Sequence, residues 1–374
     1  MGQFKRKVFY FHGFDARGPA FYKSFYTKQA ARYTALTGEH VTVSPDRDGP
    51  ATSAIWTVGN EAAGVETDYE FLRWEDVVER GWIRSPLKLF WKSLLAVDRH
   101  MVGHVRNLLK RPATKGQAVI VSYPLLFGLL LPVLFALIPA LLLWIVLPFW
   151  AAALIGATVS ALTVGRPLKK MLVPWLLAWN HYGQILATKG PSPVLDERLD
   201  IFARRVAQEM DGPWDEVLLF THSGGTILVL PLLRRIVALR GGLPPHFTVI
   251  ALGQVVPLVA LRPDAHWYRD DVRALAGLSF HYVDLSYPPD AAASYGLDPL
   301  LLFNDAHAAR VDLLSPRFHL FMDPEKRQRG FAGKYDAHFD YLRVGDRLSP
   351  IDYISLTAGP RTIDESIALF RALP

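Results

Sequence analysis

The stretch EVLLFTHSGGTILVLPLLRRI, residues 216–236, decides the fold of this chain of 374 residues. Its first five residues are an apolar-rich run that predicts a buried strand, and residues 224–239 predict a helix. Ser223 lies at the sharp turn between them and is followed by Gly224 and Gly225. A serine just before a helix also commonly acts as an N-cap, and this second interpretation stays open.

Outward from this unit, short apolar runs alternate with helical patterns. The predicted strands are 7–12, 41–44, 216–220, 246–252, 278–285 and 317–322, and the predicted helices are 19–37, 195–210 and 224–239. This alternation is typical of a mostly parallel α/β sheet with helices on both faces. Residues 46–95 are polar and rich in tryptophan without a clear period, which predicts a cap or lid.

The pentapeptide THSGG, residues 221–225, resembles the nucleophile elbow G-x-S-x-G of the α/β-hydrolase superfamily. Gly225 matches the second glycine of that motif, whereas Thr221 stands where the family usually has glycine. The resemblance implies an α/β-hydrolase-like fold in residues 8–45 and 195–345. It also implies that Ser223 is the nucleophile of a serine esterase or lipase.

The first predicted strand ends in the tripeptide HGF, residues 12–14, which looks like the HG motif of lipases and esterases. The resemblance implies that the backbone N–H groups of Phe14 and Gly224 form the oxyanion hole. A histidine that is merely packed at the strand end is the other interpretation of His12. Because this strand begins near residue 7, we expect the first strands of a full hydrolase sheet to be missing.

In the family's order an acid follows the nucleophile, and two aspartates compete for this role. Asp290 follows two prolines in the loop after the predicted strand 278–285, where the family carries its acid, whereas Asp284 lies inside that strand. We therefore favour Asp290 and keep Asp284 as the alternative acid. For either residue a role in a turn or a helix cap stays open.

A histidine should come last in this order, and His338 lies in the late loop GKYDAHFDYL. His319 lies inside the predicted strand 317–322 and would be buried in the sheet. The resemblance implies that His338 takes the proton of Ser223 and returns it to the leaving group, while the aspartate fixes its tautomer. An ordinary surface histidine is the alternative.

Residues 117–165 contain no charged side chain. One membrane span takes about 20 residues, so this segment predicts a transmembrane hairpin with spans at 118–138 and 140–162 and a turn at Pro139. Pro124, Pro132 and Pro148 also interrupt the run, which membrane helices tolerate. A buried hairpin in the core of a soluble protein is the alternative.

Both flanks of this run are basic, which predicts that both face the cytoplasm. The flanking cations are Arg106, Lys110, Arg111 and Lys115 before it and Arg166, Lys169 and Lys170 after it. Residues 166–194 follow as an interfacial amphipathic segment, since the apolar stretch 171–187 is broken by polar residues and carries Trp175, Trp179 and Tyr182. A third span at 171–187 stays open.

The composition limits the partners. The net charge is +6, but no nucleic-acid-binding motif accompanies it, so we assign the charge to contact with anionic membrane lipids and expect no nucleic acid partner. The absence of cysteine excludes disulfides, thiolate catalysis and cysteine metal sites. Nothing in the sequence implies a cofactor or a metal.

The sequence thus predicts five segments. Residues 1–45 and 195–374 form the two parts of a hydrolase domain, 46–116 a cap and a basic juxtamembrane segment, 117–165 the hairpin, and 166–194 the interfacial segment. The expected function is that of a membrane-anchored serine hydrolase acting on an acyl ester or thioester of an apolar substrate. Two alternatives are an acyltransferase with the same residues and an inactive fold that serves as a membrane interaction protein.

Overall fold

The computed structural model describes residues 3–95, 99–327 and 334–374. In them the chain forms an eight-stranded sheet in the order β2-β3-β4-β1-β5-β6-β7-β8. The strands are β1 Phe4–Phe11, β2 Val41–Val43, β3 Ser53–Asn60, β4 Val65–Leu72, β5 Glu216–His222, β6 Phe247–Leu252, β7 His281–Leu285 and β8 Arg310–Leu314. Only β3 runs antiparallel to its neighbours, so the predicted mostly parallel α/β sheet is confirmed.

Helices cover both faces of the sheet. They are α1 Pro19–Thr37, α2 Glu75–Gly81, α3 Pro86–Leu95, α4 Arg99–Leu109, α5 Lys115–Trp144, α6 Phe149–Thr163, α7 Gly165–Lys170, α8 Val173–Lys189, α9 Pro193–Glu209, α10 Gly225–Arg240, α11 Pro257–Ala260, α12 His266–Ala274, α13 Phe318–Phe321, α14 Pro324–Arg327, α15 Lys334–Ala337, α16 Tyr353–Ala358 and α17 Ile363–Arg371. One core lies under α1, α16 and α17, and the other lies under α9, α10 and α12. The three predicted helices correspond to α1, α9 and α10.

Strand β1 lies in the middle of the sheet, between β4 and β5. Its residues 8–11 are apolar and fully buried, as expected of a central strand covered on both faces. The register pairs Phe11 with Thr221 of β5. Because parallel strands end at the same edge, the loop after β1 and the turn after β5 become neighbours there.

The prediction of a cap for residues 46–95 was wrong for much of this segment, because β3 and β4 lie within it. The segment looked polar because three of the eight residues of β4 are acidic. Its Glu70 is fully buried, where Lys7 and Arg205 donate to the carboxylate at 2.8 and 3.0 Å. These ion pairs allow an acidic strand in the sheet, and β2 and β3 then extend the sheet on the side where we expected strands to be missing.

The final predicted strand, 317–322, was also wrong. The last strand among the described residues is β8, and His319 lies in the short helix α13. Pro316 precedes Arg317, which has a left-handed backbone with φ 46°, so the chain cannot extend as a strand there. Strand β8 escaped prediction because it is an edge strand in which charged residues alternate with apolar ones.

The charge-free run forms two helices, α5 and α6, that pack side by side. Both are long and apolar enough to cross a membrane once the short flanking helices are included. A Cβ on Gly156 would collide with the Ala136 carbonyl oxygen, and Ser160 Oγ donates to the Pro132 carbonyl at 2.8 Å. Small residues therefore bring the two backbones together, as is common between membrane helices.

The predicted turn at Pro139 was wrong, because the chain turns at residues 145–148. Pro139 lies inside α5, as do Pro124 and Pro132. A proline removes one hydrogen bond from a helix but does not have to end it, because neighbouring groups can satisfy the freed carbonyl. Pro148 instead lies directly before α6, with an extended ψ of 143°. The first helix is therefore longer than predicted, at 30 residues, and the second is shorter, at 15.

Residues 171–187 form most of α8, which is not among the long apolar helices found in the described ranges. Its Trp179, Leu186 and Ala187 are buried against the main core. One face of α8 thus belongs to the folded domain, which a free interfacial helix would not require. Contact of its other face with a bilayer stays a prediction.

Candidate active site

Ser223 lies directly after β5 in a left-handed conformation, with φ 53°. This conformation costs a non-glycine residue about 1–2 kcal/mol, so the surroundings must hold it. The Ser223 N–H donates to the Leu252 carbonyl at 3.0 Å. Thr226 Oγ1 donates to the Ser223 carbonyl at 2.6 Å and accepts from the Val255 N–H at 3.0 Å. The end of β6, the loop after it and the first turn of α10 therefore brace the turn.

Two glycines make room at this turn. A Cβ on Gly225 would lie 2.5 Å from the Phe11 carbonyl oxygen, and a Cβ on Gly13 would lie 2.9 Å from Ser223 Cβ. Thr221 occupies a regular, fully buried position of β5. The backbones of the turn and of the loop after β1 therefore approach most closely at Gly13 and Gly225 and not at Thr221. This explains how a β-branched residue is accommodated at the first position of the elbow-like motif.

The backbones of the two predicted oxyanion residues approach closely, since a Cβ on Gly224 would lie 3.0 Å from the Phe14 nitrogen and a Cβ on Gly13 would lie 3.4 Å from the Gly224 nitrogen. Within the described ranges neither N–H donates to a protein hydrogen bond. The loop with Phe14 is held by Asp15, whose carboxylate accepts from the Arg17 N–H and the Tyr22 hydroxyl, both at 2.9 Å. Two fixed donors are therefore free at the predicted oxyanion site.

His338 Nδ1 donates to Asp290 Oδ2 at 2.6 Å, which pairs a buried imidazole with a partly buried carboxylate. Burial alone would raise the pKa of Asp290. The nearby His338 charge and the hydrogen bonds from His338, Ala292 and Tyr341 outweigh it and hold this pKa below its usual value. Asp290 is thus ionised at neutral pH and suited to orient the imidazole ring.

The other ring nitrogen, His338 Nε2, is buried and has no hydrogen-bond partner among the described residues. Ser223 lines the same cavity but does not contact this nitrogen within hydrogen-bond distance. Such contacts are often long in structures without substrate. The structure therefore brings the three predicted residues to one site and leaves the serine–histidine hydrogen bond unmade.

Two residues at this site were not predicted. The Tyr341 hydroxyl donates to Asp290 Oδ2 at 2.9 Å and accepts from the Tyr287 N–H at 2.9 Å. His222 Nε2 donates to the His338 carbonyl at 2.9 Å, and burial lowers the pKa of His222 to about 3, which keeps it neutral. Tyr341 follows His338 by three residues, but nothing in the sequence separates it from an ordinary core aromatic.

Asp284, the alternative acid, lies elsewhere. Its carboxyl accepts from Ser286 Oγ at 2.7 Å and from Gln254 Nε2 at 3.3 Å, and it does not pair with His338. Burial raises the pKa of Asp284 to about 7. A carboxyl that is partly protonated near neutral pH and turned toward Gln254 is poorly placed to stabilise a charged imidazole, so the geometry favours Asp290.

A cavity of about 490 Å³ opens at this edge of the sheet, and Ser223, His338 and Asp290 line it. Most of its surface is apolar. One wall comes from the first turns of α5 and from α8, whose lining residues are Val119, Ile120, Tyr123, Leu172, Trp175, Leu176 and Trp179. The base of the apolar hairpin is therefore part of the cavity.

No group of three His, Asp or Glu side chains that could hold a metal ion occurs in the ranges the structure describes. Comparison of the chain with family models, curated proteins and solved structures found no match.

Proposed function

We propose that this protein is a membrane-anchored serine hydrolase of the α/β-hydrolase type, which cleaves an acyl ester or thioester of an apolar substrate. The placement of Ser223 carries the proposal. A left-handed turn between β5 and α10 presents its side chain to the cavity that the hydrogen-bonded His338 and Asp290 also line. Backbone strain of this kind is concentrated at functional sites.

The alternative role of Ser223 as a helix cap has less support. An N-cap residue normally has an extended backbone, and its side chain accepts a hydrogen bond from the first turn. Ser223 has φ 53°, the N-cap position of α10 is Gly224, and no side chain caps this helix. Helix formation alone thus gives no reason for the strained serine.

In the proposed reaction, Ser223 Oγ attacks the acyl carbonyl while His338 Nε2 takes its proton. The negative oxygen of the tetrahedral intermediate accepts from the N–H groups of Phe14 and Gly224. The C–O or C–S bond then breaks, and the leaving group takes the proton from His338. Water repeats the sequence on the acyl-enzyme and releases the acid. An acceptor alcohol in place of water gives the acyltransferase alternative.

The walls of the cavity support an apolar acyl group. Val119, Ile120 and Leu176 contribute aliphatic surface, and Trp175 and Trp179 contribute aromatic surface. Each buried methylene of an acyl chain gains about 0.8 kcal/mol, which favours long chains in such a pocket. Because part of this wall belongs to α5, an acyl chain embedded in a bilayer would lie beside the cavity.

The exposed apolar surface supports membrane insertion of the hairpin. In the most apolar part of the first candidate span, only 6% of the residues are buried, whereas a helix in the core of a soluble protein is mostly buried. Ile145 at the turn is 82% exposed. The 30 residues of α5, at about 1.5 Å each, give about 45 Å, which exceeds the ~30 Å hydrocarbon layer. Basic residues on both flanks support a catalytic domain in the cytoplasm.

The test of the proposed chemistry is labelling with a fluorophosphonate, which reacts with an activated serine. We expect the intact protein, purified in detergent, to gain one phosphonate adduct on the peptide that contains Ser223. The exposed Ser24 on α1 is an internal control that should stay unmodified. A folded protein without an adduct on Ser223 would favour the inactive membrane interaction protein and would contradict the proposed activity.

Insertion and orientation can be tested together because the native chain has no cysteine. Ser24, Val146 and Ala368 are exposed in the structure, so each can be replaced by a single cysteine. With an impermeant thiol reagent on intact cells, we expect labelling at Val146 only, and labelling at Ser24 and Ala368 after the inner face is opened. Equal protection of all three positions would contradict a spanning hairpin, and opposite behaviour of Ser24 and Ala368 would contradict a shared compartment.

A further inference from the structure

The first turn of α5 packs directly on the loop that carries Asp290. A Cβ on Gly116 would lie 2.6 Å from the carbonyl oxygen of Ala291 and 2.9 Å from its Cα. Gln117 is fully buried, and its Nε2 donates to the Ala292 carbonyl at 2.8 Å. The base of the hairpin and the loop of the acid are therefore in backbone contact.

This contact continues to the reacting groups through hydrogen bonds. Ala292, whose carbonyl accepts from Gln117, donates its N–H to Asp290 Oδ1 at 3.0 Å. The other oxygen of Asp290 accepts from His338 Nδ1 at 2.6 Å. A shift of the loop relative to α5 would thus move the carboxylate relative to the imidazole ring.

Stability alone does not account for Gln117. Its Oε1 is buried and has no hydrogen-bond partner within the described ranges. A buried amide with one unsatisfied atom stabilises a fold less than an apolar side chain of the same size. The Ala292 carbonyl lies in a residue that is only partly buried, so water can replace the lost donor. Methionine at position 117 should therefore be tolerated by the fold.

We propose that Gly116 and Gln117 are positioning residues, through which the base of the membrane hairpin holds the loop of the catalytic acid. The inference rests on the proposed function of the site. It gives the hairpin a second role besides anchoring, since the same helix that enters the membrane sets the place of Asp290 beside His338.

Three variants of the full chain in detergent test this. Gln117→Met removes the donor at nearly constant volume, and Gly116→Ala introduces a methyl group against the Ala291 backbone. Gly128→Ala is the matched control on the same helix, because its Cβ would meet only side chains at 3.5 Å or more. For a short acyl ester we expect kcat to fall about 10- to 10²-fold in the first two variants, since a ~1 Å misplacement costs this much. KM should change less than about twofold.

The second readout is the hydrogen-bonded proton on His338 Nδ1, which resonates far downfield in the proton NMR spectrum and is assigned by its loss in His338→Gln. This signal should weaken in Gln117→Met and Gly116→Ala and persist in Gly128→Ala. A normal kcat and signal in both would overturn the inference, as would a kcat loss in Gln117→Met that only follows a lower unfolding temperature. Wild-type protein without turnover would contradict the proposed function, while the signal would still report on positioning.

Discussion

Alanine in place of Ser223 should lower the turnover of a short acyl ester by about 10⁶-fold while the protein stays folded. The reason is that His338 and the N–H groups of Phe14 and Gly224 have no oxygen nucleophile to serve in the variant. The left-handed turn should be kept, because alanine bears the same backbone strain as serine at φ 53°. The measurement is steady-state hydrolysis together with the thermal unfolding temperature.

The matched control is Ser24→Ala on the exposed face of α1, which should retain wild-type turnover. Residual activity of Ser223→Ala should not respond to fluorophosphonate, because no activated serine remains. Undiminished turnover in Ser223→Ala would show that another group carries the reaction, and the role of Ser223 would revert to a structural one.

The strand–turn–helix around Ser223 could be predicted because local sequence contains everything it needs. An apolar run predicts β5, small residues predict the turn, and helical periodicity predicts α10. The family resemblance implied that Ser223, Asp290 and His338 share one site, and all three line one cavity of the structure. The contact of His338 with Asp290 agrees with that expectation.

The elements that escaped prediction depend on partners far away in the sequence. Strand β4 looks polar in the sequence, and its Glu70 is paired with Lys7 of β1 and Arg205 of α9 only in the folded protein. Strand β8 is short and half exposed, so its alternation is easily taken for a loop. Neither the ion pairs of Glu70 nor the edge position of β8 can be predicted from the residues next to these strands.

The same limit applies to the hairpin and the site. A proline marks a turn in soluble chains, but Pro139 stays inside α5, and the turn falls at Pro148 instead. Gly116 and Gln117 lie at the edge of a charge-free run and look like its ordinary beginning. Their contact with residues 291 and 292 joins segments about 175 positions apart, which only the fold reveals.

Asparagine in place of Asp290 should reduce kcat by about 10⁴-fold with little change in folding, as expected when the partner of a catalytic histidine loses its charge and favours the wrong tautomer. The Asp290 carboxylate now accepts from His338 Nδ1, whereas an amide would have to choose between accepting and donating there. The depressed pKa of Asp290 means that the wild-type group is charged throughout the neutral range. The effect should therefore persist across that range.

Asp284→Asn is the control that separates this role from simple burial of a carboxyl. Burial raises the pKa of Asp284 from its ordinary value of 3.8 to about 7, so the folded state holds its proton more tightly than the unfolded state. The free energy of unfolding should then fall as pH rises between these values, and Asp284→Asn should remove that part of the pH dependence. Its kcat should stay within about tenfold of wild type, because Asp284 contacts Ser286 and Gln254 and not His338. An inactive Asp284→Asn of normal stability, beside an active Asp290→Asn, would assign the acid to the strand end of β7 and not to the loop that α5 holds.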